Sequence, residues 1–510
     1  MLLRLDGNGP RYGQITRALR AAIQSGALTP GARVPSTRAL AGSLNCARNL
    51  VLLAYEQLAL EGYLTPRGGA GTFVSRAVAP RAPDDTARPR DGGITPRLSA
   101  LGRRAVASAA RARMLYQTAA AVEVNFAYGL GEPDPRLLGA LRQALTRALQ
   151  QASFGYTPPA GDKRLREQIA TRLRTQRGMT RRAEQILITT GTQQALEICA
   201  RLLIDEGDPV AVEAATYDGA TTVFATAGAR IVRVPVDDQG LRVDALPARG
   251  PAPRLVYVTP SHQFPTGAIM SAARRYALIN WARARGSYVF EDDYDGEFRY
   301  HGRPMEALAA IDSDGPVIYS GTFAKSLFPS LRLAYLSLPS TLVRAAIACK
   351  WISDRGCPAI LQHAVRELME SGEYDRHIRR MIRRNRLRRD TLVCALQRHF
   401  GDAVEIRGAD SGLHVLARLR GLTPPDAVRL TAACRTCGVG IATEAAGVAV
   451  DAPPQSAARP AGLILGYAML PIERIEDGVR ILASTYFEIT GPGKRPVRGT
   501  TRRRSSPRSW

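Results

Sequence analysis

Between residues 12 and 25 the apolar side chains Ile15, Ala18, Leu19, Ala22 and Ile23 recur at the three-four spacing of a helix with one buried stripe. Pro30-Gly31 breaks that pattern. Ser36, approached through Pro35, is placed to cap a short helix running to Leu44. Asn45 suits the left-handed conformation that a tight helix–helix turn demands. A further helix from about Ala47 to Glu61 would bury Leu50, Val51, Ala54, Tyr55 and Leu58, and Gly62 stops it. Residues 63–74 then read as strand, Gly-rich turn and strand. From about residue 121 the period changes. Short β-branched runs at Gln185–Thr189, Pro209–Glu213, Arg230–Val236, Arg254–Thr259, Ser287–Glu291 and Val317–Ser320 alternate with longer helical stretches, the pattern of a parallel α/β sheet. After Gly408 a smaller α+β region follows, with strands at Gly412–Leu416 and Gly462–Tyr467.

Residues 77–120 are rich in Pro, Ala and Arg and read as a linker, extended in its first half and helical over Leu98 to Met114. Residues 490–510 form a Gly/Pro/Arg/Ser-rich tail of disordered composition, with Arg502-Arg503-Arg504 as a non-specific electrostatic arm. The expected organisation is therefore a module over 1–76, a linker over 77–120, a large domain over 121–489 with a small subdomain from about 345, and the tail.

Charge changes the picture. The chain carries a formal +25, distributed as +6 in residues 1–76, +5 in 77–120 and +7 in 490–510, which leaves only +7 for 121–489. Excess positive charge at the ends implies an anionic partner there, and nucleic acid is the commonest. Seven scattered cysteines, odd in number, read as reduced thiols; Cys434-Arg-Thr-Cys437 lacks the second pair or histidines that a zinc site needs. No opening apolar run resembles a signal peptide, and no segment approaches the ~20 apolar residues of a membrane span. A soluble cytoplasmic protein is expected.

Two helices joined by a tight turn, with a basic hairpin behind, form a winged helix-turn-helix, whose second helix enters the major groove of double-stranded DNA. Arg38, Arg48 and Asn49 are placed to reach DNA, and Arg67 and Gly69 lie at the wing tip. Tyr12-Gly-Gln14-Ile15, Val34-Pro-Ser-Thr-Arg-Ala-Leu-Ala41, Ala54-Tyr-Glu-Gln-Leu58, Glu61-Gly-Tyr-Leu64 and Gly71-Thr-Phe-Val74 resemble the GntR family of bacterial regulators. That family opens its recognition helix with Val-Ser-Arg. Here Cys46-Ala47-Arg48 lacks the capping serine.

In the large domain an apolar stretch ends at Ser320-Gly321-Thr322-Phe323-Ala324-Lys325, with Arg332 seven residues on, and Val289-Phe290-Glu291-Asp292-Asp293-Tyr294-Asp295 supplies an acidic strand end. A Schiff-base lysine needs a phosphate anchor, a carboxylate beside a pyridinium and a stacking partner. With Tyr156–Arg166, Thr189–Leu196 and Thr259–Gly267, these motifs resemble fold-type-I aminotransferases, and the whole chain resembles the MocR group of regulators. The resemblance implies pyridoxal 5′-phosphate (PLP) joined to Lys325 as an internal aldimine, with Asp292 facing the ring nitrogen and Asp293 as its rival. Tyr294 would hold the phenolic oxygen and Tyr217 would stack on the ring. Gly191, Thr192 and Gln193 at a helix start, with Thr322 and Arg332, would cradle the phosphate.

Departures bear on function. Phe264 stands where aminotransferases carry an asparagine, with Gln263 or His262 as substitutes; Ala324 replaces a serine; and no C-terminal arginine is clearly placed to clamp a substrate carboxylate, Arg459 being nearest. These favour a homodimeric regulator that senses PLP, or PLP with an amino acid or amine, over an efficient enzyme. An active aminotransferase with an accessory DNA-binding head, and a scaffold that has lost its cofactor, are the rival readings. The eight arginines of Arg376–Arg389 read as a solvated helix face or a dimer contact, with Ile378, Met381 and Ile382 turned inward.

Overall fold

The computed structural model describes residues 3–78, 97–116, 122–129, 131, 134–151, 155–302, 305–312, 314–444 and 461–491. The Pro-rich stretch after residue 78, the basic tail and Arg459 lie outside them. The chain divides into two compact units between Arg97 and Leu98.

In the first unit, helices α1 (Arg11–Gln24), α2 (Thr37–Ser43) and α3 (Arg48–Leu60) precede an antiparallel hairpin of β1 (Leu64–Arg67) and β2 (Gly71–Val74). Ile15, Leu19, Ile23, Leu40, Val51, Ala54, Leu58 and Val74 share one core. Ser36 Oγ accepts from the Ala39 amide at 3.2 Å and so caps α2. Asn45 takes the left-handed conformation at φ 46° and turns the chain into α3. The first residue before α3 is Ala47, and it offers no side-chain cap.

The second unit opens with α4 (Ala100–Tyr116) and the two-residue strand β3 (Val124–Asn125), followed by α5 (Pro135–Gln151) and α6 (Lys163–Arg177). Then come β4 (Ile186–Thr189), α7 (Thr192–Leu203), β5 (Pro209–Glu213), α8 (Asp218–Ala227), β6 (Arg230–Val234), the small pair β7 (Val236–Asp237) and β8 (Gly240–Leu241), β9 (Leu255–Val258), α9 (Ala272–Arg285) and β10 (Tyr288–Asp293). The large lobe continues through α10 (Leu308–Ile311), β11 (Val317–Thr322), α11 (Phe323–Ser326), β12 (Ala334–Ser337), α12 (Ser340–Asp354) and α13 (Ala359–Glu370). The long helix α14 (Glu373–Phe400) leads into β13 (Val404–Arg407), β14 (His414–Leu419), α15 (Pro424–Thr436), β15 (Val439–Gly440), β16 (Ala442–Thr443), β17 (Gly462–Gly466) and α16 (Ile472–Thr490).

The central sheet has seven strands in the order β4-β12-β11-β10-β9-β5-β6. Six of them run in one direction, but β12 is antiparallel to both β11 and β4, which corrects the all-parallel expectation. Its four residues, Ala-Tyr-Leu-Ser, are too short a run to stand out from the loop before them. Side chains alternate between two cores. Val256, Val258, Val289, Val317 and Tyr319 face one layer of helices, whereas Leu255, Tyr257, Phe290 and Ile318 face the layer containing α7, α8 and α12. A four-stranded sheet, β13-β14-β17-β16, forms the small lobe with α15, α16 and most of α14.

The small lobe begins later than residue 345. Leu342 and Ala346 of α12 and Ala364, Val365 and Leu368 of α13 pack in the large lobe, and α14 crosses over at about Met381. It also recruits an early segment, since β3 pairs in parallel with β15. Likewise, the second half of the expected linker is not free: α4 packs on α8. Half of the arginine run turns inward rather than into solvent. Arg388 Nη1 donates to Ala468 O at 2.5 Å, Arg389 lies 5.1 Å over the Tyr300 ring, and Arg380 pairs with Asp134 at 2.6 Å. Arg376, Arg379, Arg383 and Arg386 form the exposed stripe. Among the described residues no helix is long and apolar enough to cross a membrane.

Candidate cofactor site and DNA-reading surface

The chemistry-bearing residues of the second unit sit where the strands of an open α/β sheet end. Thr189–Gly191 leave β4, Glu213–Tyr217 leave β5, Thr259–Phe264 leave β9, Asp292–Asp295 leave β10 and Thr322–Lys325 leave β11, all at carboxyl ends. Helix N-termini and free loop backbone gather at that edge, so it is where such folds bind ligands.

Pleating separates the two adjacent acids. Asp292 projects on the side of Phe290 and Tyr257, and Tyr257 Oη donates to Asp292 Oδ2 at 2.8 Å. Asp293 projects to the opposite side, where Arg177 Nε reaches its Oδ2 at 2.8 Å and Tyr319 Oη donates to the same oxygen at 2.6 Å. Asp293 is thus neutralised by structure, although its Oδ1 also lacks a partner. Asp292 has no arginine; its Oδ1 is buried and receives no hydrogen bond. Burial pushes its carboxyl up to about 7, against the pull of the Tyr257 hydroxyl and the Lys325 charge. A buried acceptor aimed at the strand end, without a donor, fits a ring N–H.

Lys325 lies on the single-turn α11, and its Nζ donates to Gly129 O at 2.6 Å. Burial lowers its pKa, while Asp295 and Asp292 act in the other direction. Thr322 caps α11, its Oγ1 accepting from the Ala324 amide at 3.1 Å. Arg332 is exposed and left-handed at φ 51°. Its guanidinium lies over Gly191, where a Cβ would come within 2.8 Å of Nη2; at φ 119° that position also requires glycine. Arg332 therefore stands at the N-terminus of α7, whose first amides, on Thr192 and Gln193, have no intrahelical acceptor. A guanidinium fork beside free helix amides has the chemistry to hold a phosphate.

Tyr217 precedes α8, with its hydroxyl 3.4 Å from Gln193 Oε1, and shares an apolar cluster with Phe264, Tyr294, Leu416 and Ile464. Tyr294 Oη donates to His262 O and lies 3.1 Å from His262 Nδ1. The expected residues of the large domain are thus brought to one edge of the sheet. Of the two substitutes for the missing asparagine, His262 is the one that reaches Tyr294. Gln263 is occupied, its Nε2 donating to Glu213, Ala215 O and Phe264 O.

Several participants were not visible in the sequence. Tyr257 and Gly129 carry no local motif. Asp295 accepts from His262 Nδ1 at 2.8 Å, and His262 Nε2 faces Gly408 O at 3.4 Å. Both ring nitrogens therefore meet acceptors, the arrangement of an imidazolium. Burial alone would lower the His262 pKa, but the Asp295 charge and hydrogen bond raise it. His414 donates from Nε2 to Pro265 O at 3.2 Å and is held neutral, pushed down to about 3 by burial and by the adjacent His262. His262, Asp295 and His414 form the one described cluster whose donor atoms could converge on a metal. Its geometry is already that of a paired cation and anion. Arg418, opposite Gly462 across β14 and β17, is a buried arginine on the strand beside β17; Glu444 accepts from its Nη2 at 3.0 and 3.2 Å.

In the first unit Arg38, Arg48, Asn49, Arg67 and Gly69 are all exposed. Arg48 and Asn49 occupy the first turn of α3, with Arg48 Nε donating to Thr37 Oγ1 at 3.1 Å. Tyr55 Oη ties α3 to Pro35 O at 2.7 Å. Arg67 packs 5.0 Å over the Phe73 ring at the hairpin end. The helix whose start carries a cation and an amide is the one a helix-turn-helix presents to base edges.

Residues 125–463 match the aminotransferase class I and II family, and residues 11–74 match the bacterial regulatory proteins of the gntR family. The chain is 33% identical over 504 residues to the probable rhizopine catabolism regulatory protein MocR of Rhizobium meliloti, with 98% of each chain covered. It is 31% identical over 429 residues to the HTH-type pyridoxine biosynthesis transcriptional regulator PdxR of Corynebacterium glutamicum, covering 84% of this chain and 86% of that one. The crystal structure of Pyrococcus horikoshii kynurenine aminotransferase in complex with PMP superposes with a TM-score of 0.66 at 26% identity, over 74% of this chain and 94% of that one.

Proposed function

The chain belongs to the MocR-type regulators, a gntR-family head joined to an aminotransferase class I and II domain, and from that premise we propose that it regulates transcription by binding DNA in response to PLP or a PLP–amine adduct. The observation that carries the cofactor reading is the orphaned Oδ1 of Asp292 at the carboxyl end of β10. When bound, PLP supplies an aldehyde that reacts with amines and a protonated ring that withdraws electrons.

The chain's own residues divide the work of holding it. Lys325 offers the amine for covalent attachment. Asp292 accepts the ring N–H, which keeps the ring protonated. Arg332 and the amides of Thr192 and Gln193 grip the phosphate, with Gly191 leaving the space that the guanidinium needs and Thr322 shaping the turn to Lys325. Tyr217 covers one face of the ring. Tyr294, set by His262, donates to or accepts from the phenolic oxygen. Arg38, Arg48 and Asn49 read the major groove, while Arg67 and Gly69 touch the backbone. A homodimer with two heads is the working form, and the ligand acts by favouring one arrangement of those heads over another.

Sensing is favoured over turnover by Arg418. This buried arginine, on the strand beside β17, is engaged by Glu444, so a substrate carboxylate directed to it would have to displace a carboxylate already in place.

Spectroscopic titration of the full chain with PLP, followed by borohydride reduction and peptide mapping, tests the reading. The expected result is modification at Lys325, together with PLP-dependent protection of a duplex selected by the protein from a random pool. An unmodified Lys325 would overturn it.

A further inference from the structure

Helix α8 has the proposed cofactor cradle at one end and helix α4 at the other. At its start, Tyr217 is the residue before the first turn, and Gln193 Nε2, from the first turn of α7, donates to Gly219 O at 3.1 Å. At its finish, Arg104 of α4 grips the last turn. Arg104 Nε donates to Thr226 O at 2.9 Å, and Nη1 reaches Glu206 Oε1 at 2.8 Å. Thr226 Oγ1 also bonds Ser108 Oγ at 3.4 Å. Gly228, which ends α8 at φ 103°, leaves room for this contact, because a Cβ there would stand 3.3 Å from Arg104 Nη2.

A cation on the terminal carbonyls is the favoured occupant of a helix C-terminus. The ten residues of α8 span about 15 Å as a rigid rod. Whatever fixes its first turn therefore fixes the carbonyl that Arg104 holds. And α4 is the first helix after Arg97, where the DNA-reading unit ends.

We infer that Arg104 is a positioning residue that couples occupancy of the cradle to the linker helix α4 through α8. The inference rests on PLP being held as proposed. A ring stacked on Tyr217 and a phosphate on the first turn of α7 fix the start of α8; the ordered last turn then fastens α4. Helix shifts of this kind are a common means of carrying a signal between sites. Coupling is reciprocal, so DNA that fastens α4 would tighten PLP by the same factor.

Amide hydrogen exchange on the full chain, with and without saturating PLP, tests the relay. In the wild type, exchange in 192–196 and in 100–108 slows on adding PLP, by about fivefold or more. In Arg104→Ala the slowing in 192–196 persists and PLP affinity falls by no more than about the same factor, while the slowing in 100–108 disappears. Arg104→Lys, which keeps the cation at the helix end, restores part of it and serves if the alanine variant folds poorly. Persistence of the 100–108 response in Arg104→Ala, or its absence in a wild type that still slows in 192–196, overturns the relay and leaves the cofactor reading standing. No slowing in either region removes the cofactor reading, and the relay with it.

Discussion

Tyr257 and Asp292 meet on one face of the central sheet, where the tyrosine hydroxyl donates to one carboxylate oxygen at 2.8 Å and leaves the other without a partner. Burial holds the Asp292 pKa up at about 7, above the usual carboxylate range. A carboxyl whose folded value is raised contributes stability that is fully present below about pH 4 and is lost as pH rises through about 7. Cofactor-free protein should therefore lose stability over that window, and Asp292→Asn should lose less. The gain at pH 8 is bounded by about 4 kcal/mol, and Glu213 and Glu291, also raised to about 7 by burial, leave a residual slope. Urea denaturation of both proteins at pH 5 and pH 8 measures this. Equal differences at the two pH values would refute the assignment of a buried, unpaired acid.

The contact between Gly191 and Arg332 makes a second prediction. Gly191→Ala puts a methyl group at φ 119° and within 2.8 Å of the guanidinium. The variant should lose about 1–3 kcal/mol of stability through backbone strain and bind PLP on the order of tenfold or more weakly. Arg332→Lys should keep the fold and lose affinity to a similar extent, because an ammonium lacks the fork that grips phosphate. Inorganic phosphate competition against PLP fluorescence separates a damaged phosphate cradle from a damaged ring site. Unchanged competition in both variants would place the phosphate elsewhere.

Much of this arrangement was legible in the chain because short-range rules wrote it. Asn45 and Ser36 announce the turn and cap of the first unit, and the strand runs around Asp292 and Lys325 end where the sheet ends. What the sequence hid depends on distant packing. Tyr257 is an ordinary strand tyrosine until the register beside β10 places its hydroxyl on Asp292. Val124 and Asn125 reveal no membership of the small lobe before they pair with Val439 and Gly440. The arginine run of α14 has a helical period either way, so only the crossing from one lobe to the other decides that Arg388 and Arg389 point inward.

Ala47 precedes α3 without capping it. Ala47→Ser should accept from the first-turn amides and stabilise the head by about 0.5–2 kcal/mol. In the same helix, Arg48→Ala should weaken binding to a selected duplex and flatten the slope of log affinity against log salt by about one if Arg48 meets a phosphate. If it reads a base, affinity falls for the selected duplex alone. An arginine that changes neither quantity would remove α3 as the reading helix.

His262 and Asp295 give the prediction most sensitive to pH. The groups facing the imidazole are Asp295, the Tyr294 hydroxyl, Gly408 O and neutral His414, with Asp410 more distant. Because the folded pKa of His262 is raised, its contribution to stability is complete below about 6.5 and is lost as pH rises through the folded value. Asp295→Asn removes the anion that outweighs burial, so His262 should become neutral and that pH dependence should reverse, with stability lost as pH falls instead of as it rises. Tyr294 would then accept no hydrogen bond from a cation. The pH at which PLP bound to the protein changes its visible absorbance should therefore rise relative to wild type, since an anionic phenolic oxygen loses a charged neighbour through the Tyr294 contact. His262→Gln, which keeps a donor but no charge, should reproduce the shift while preserving the melting temperature at pH 8. A wild-type titration midpoint in both variants would mean that the pair is only a structural fastening between the lobes.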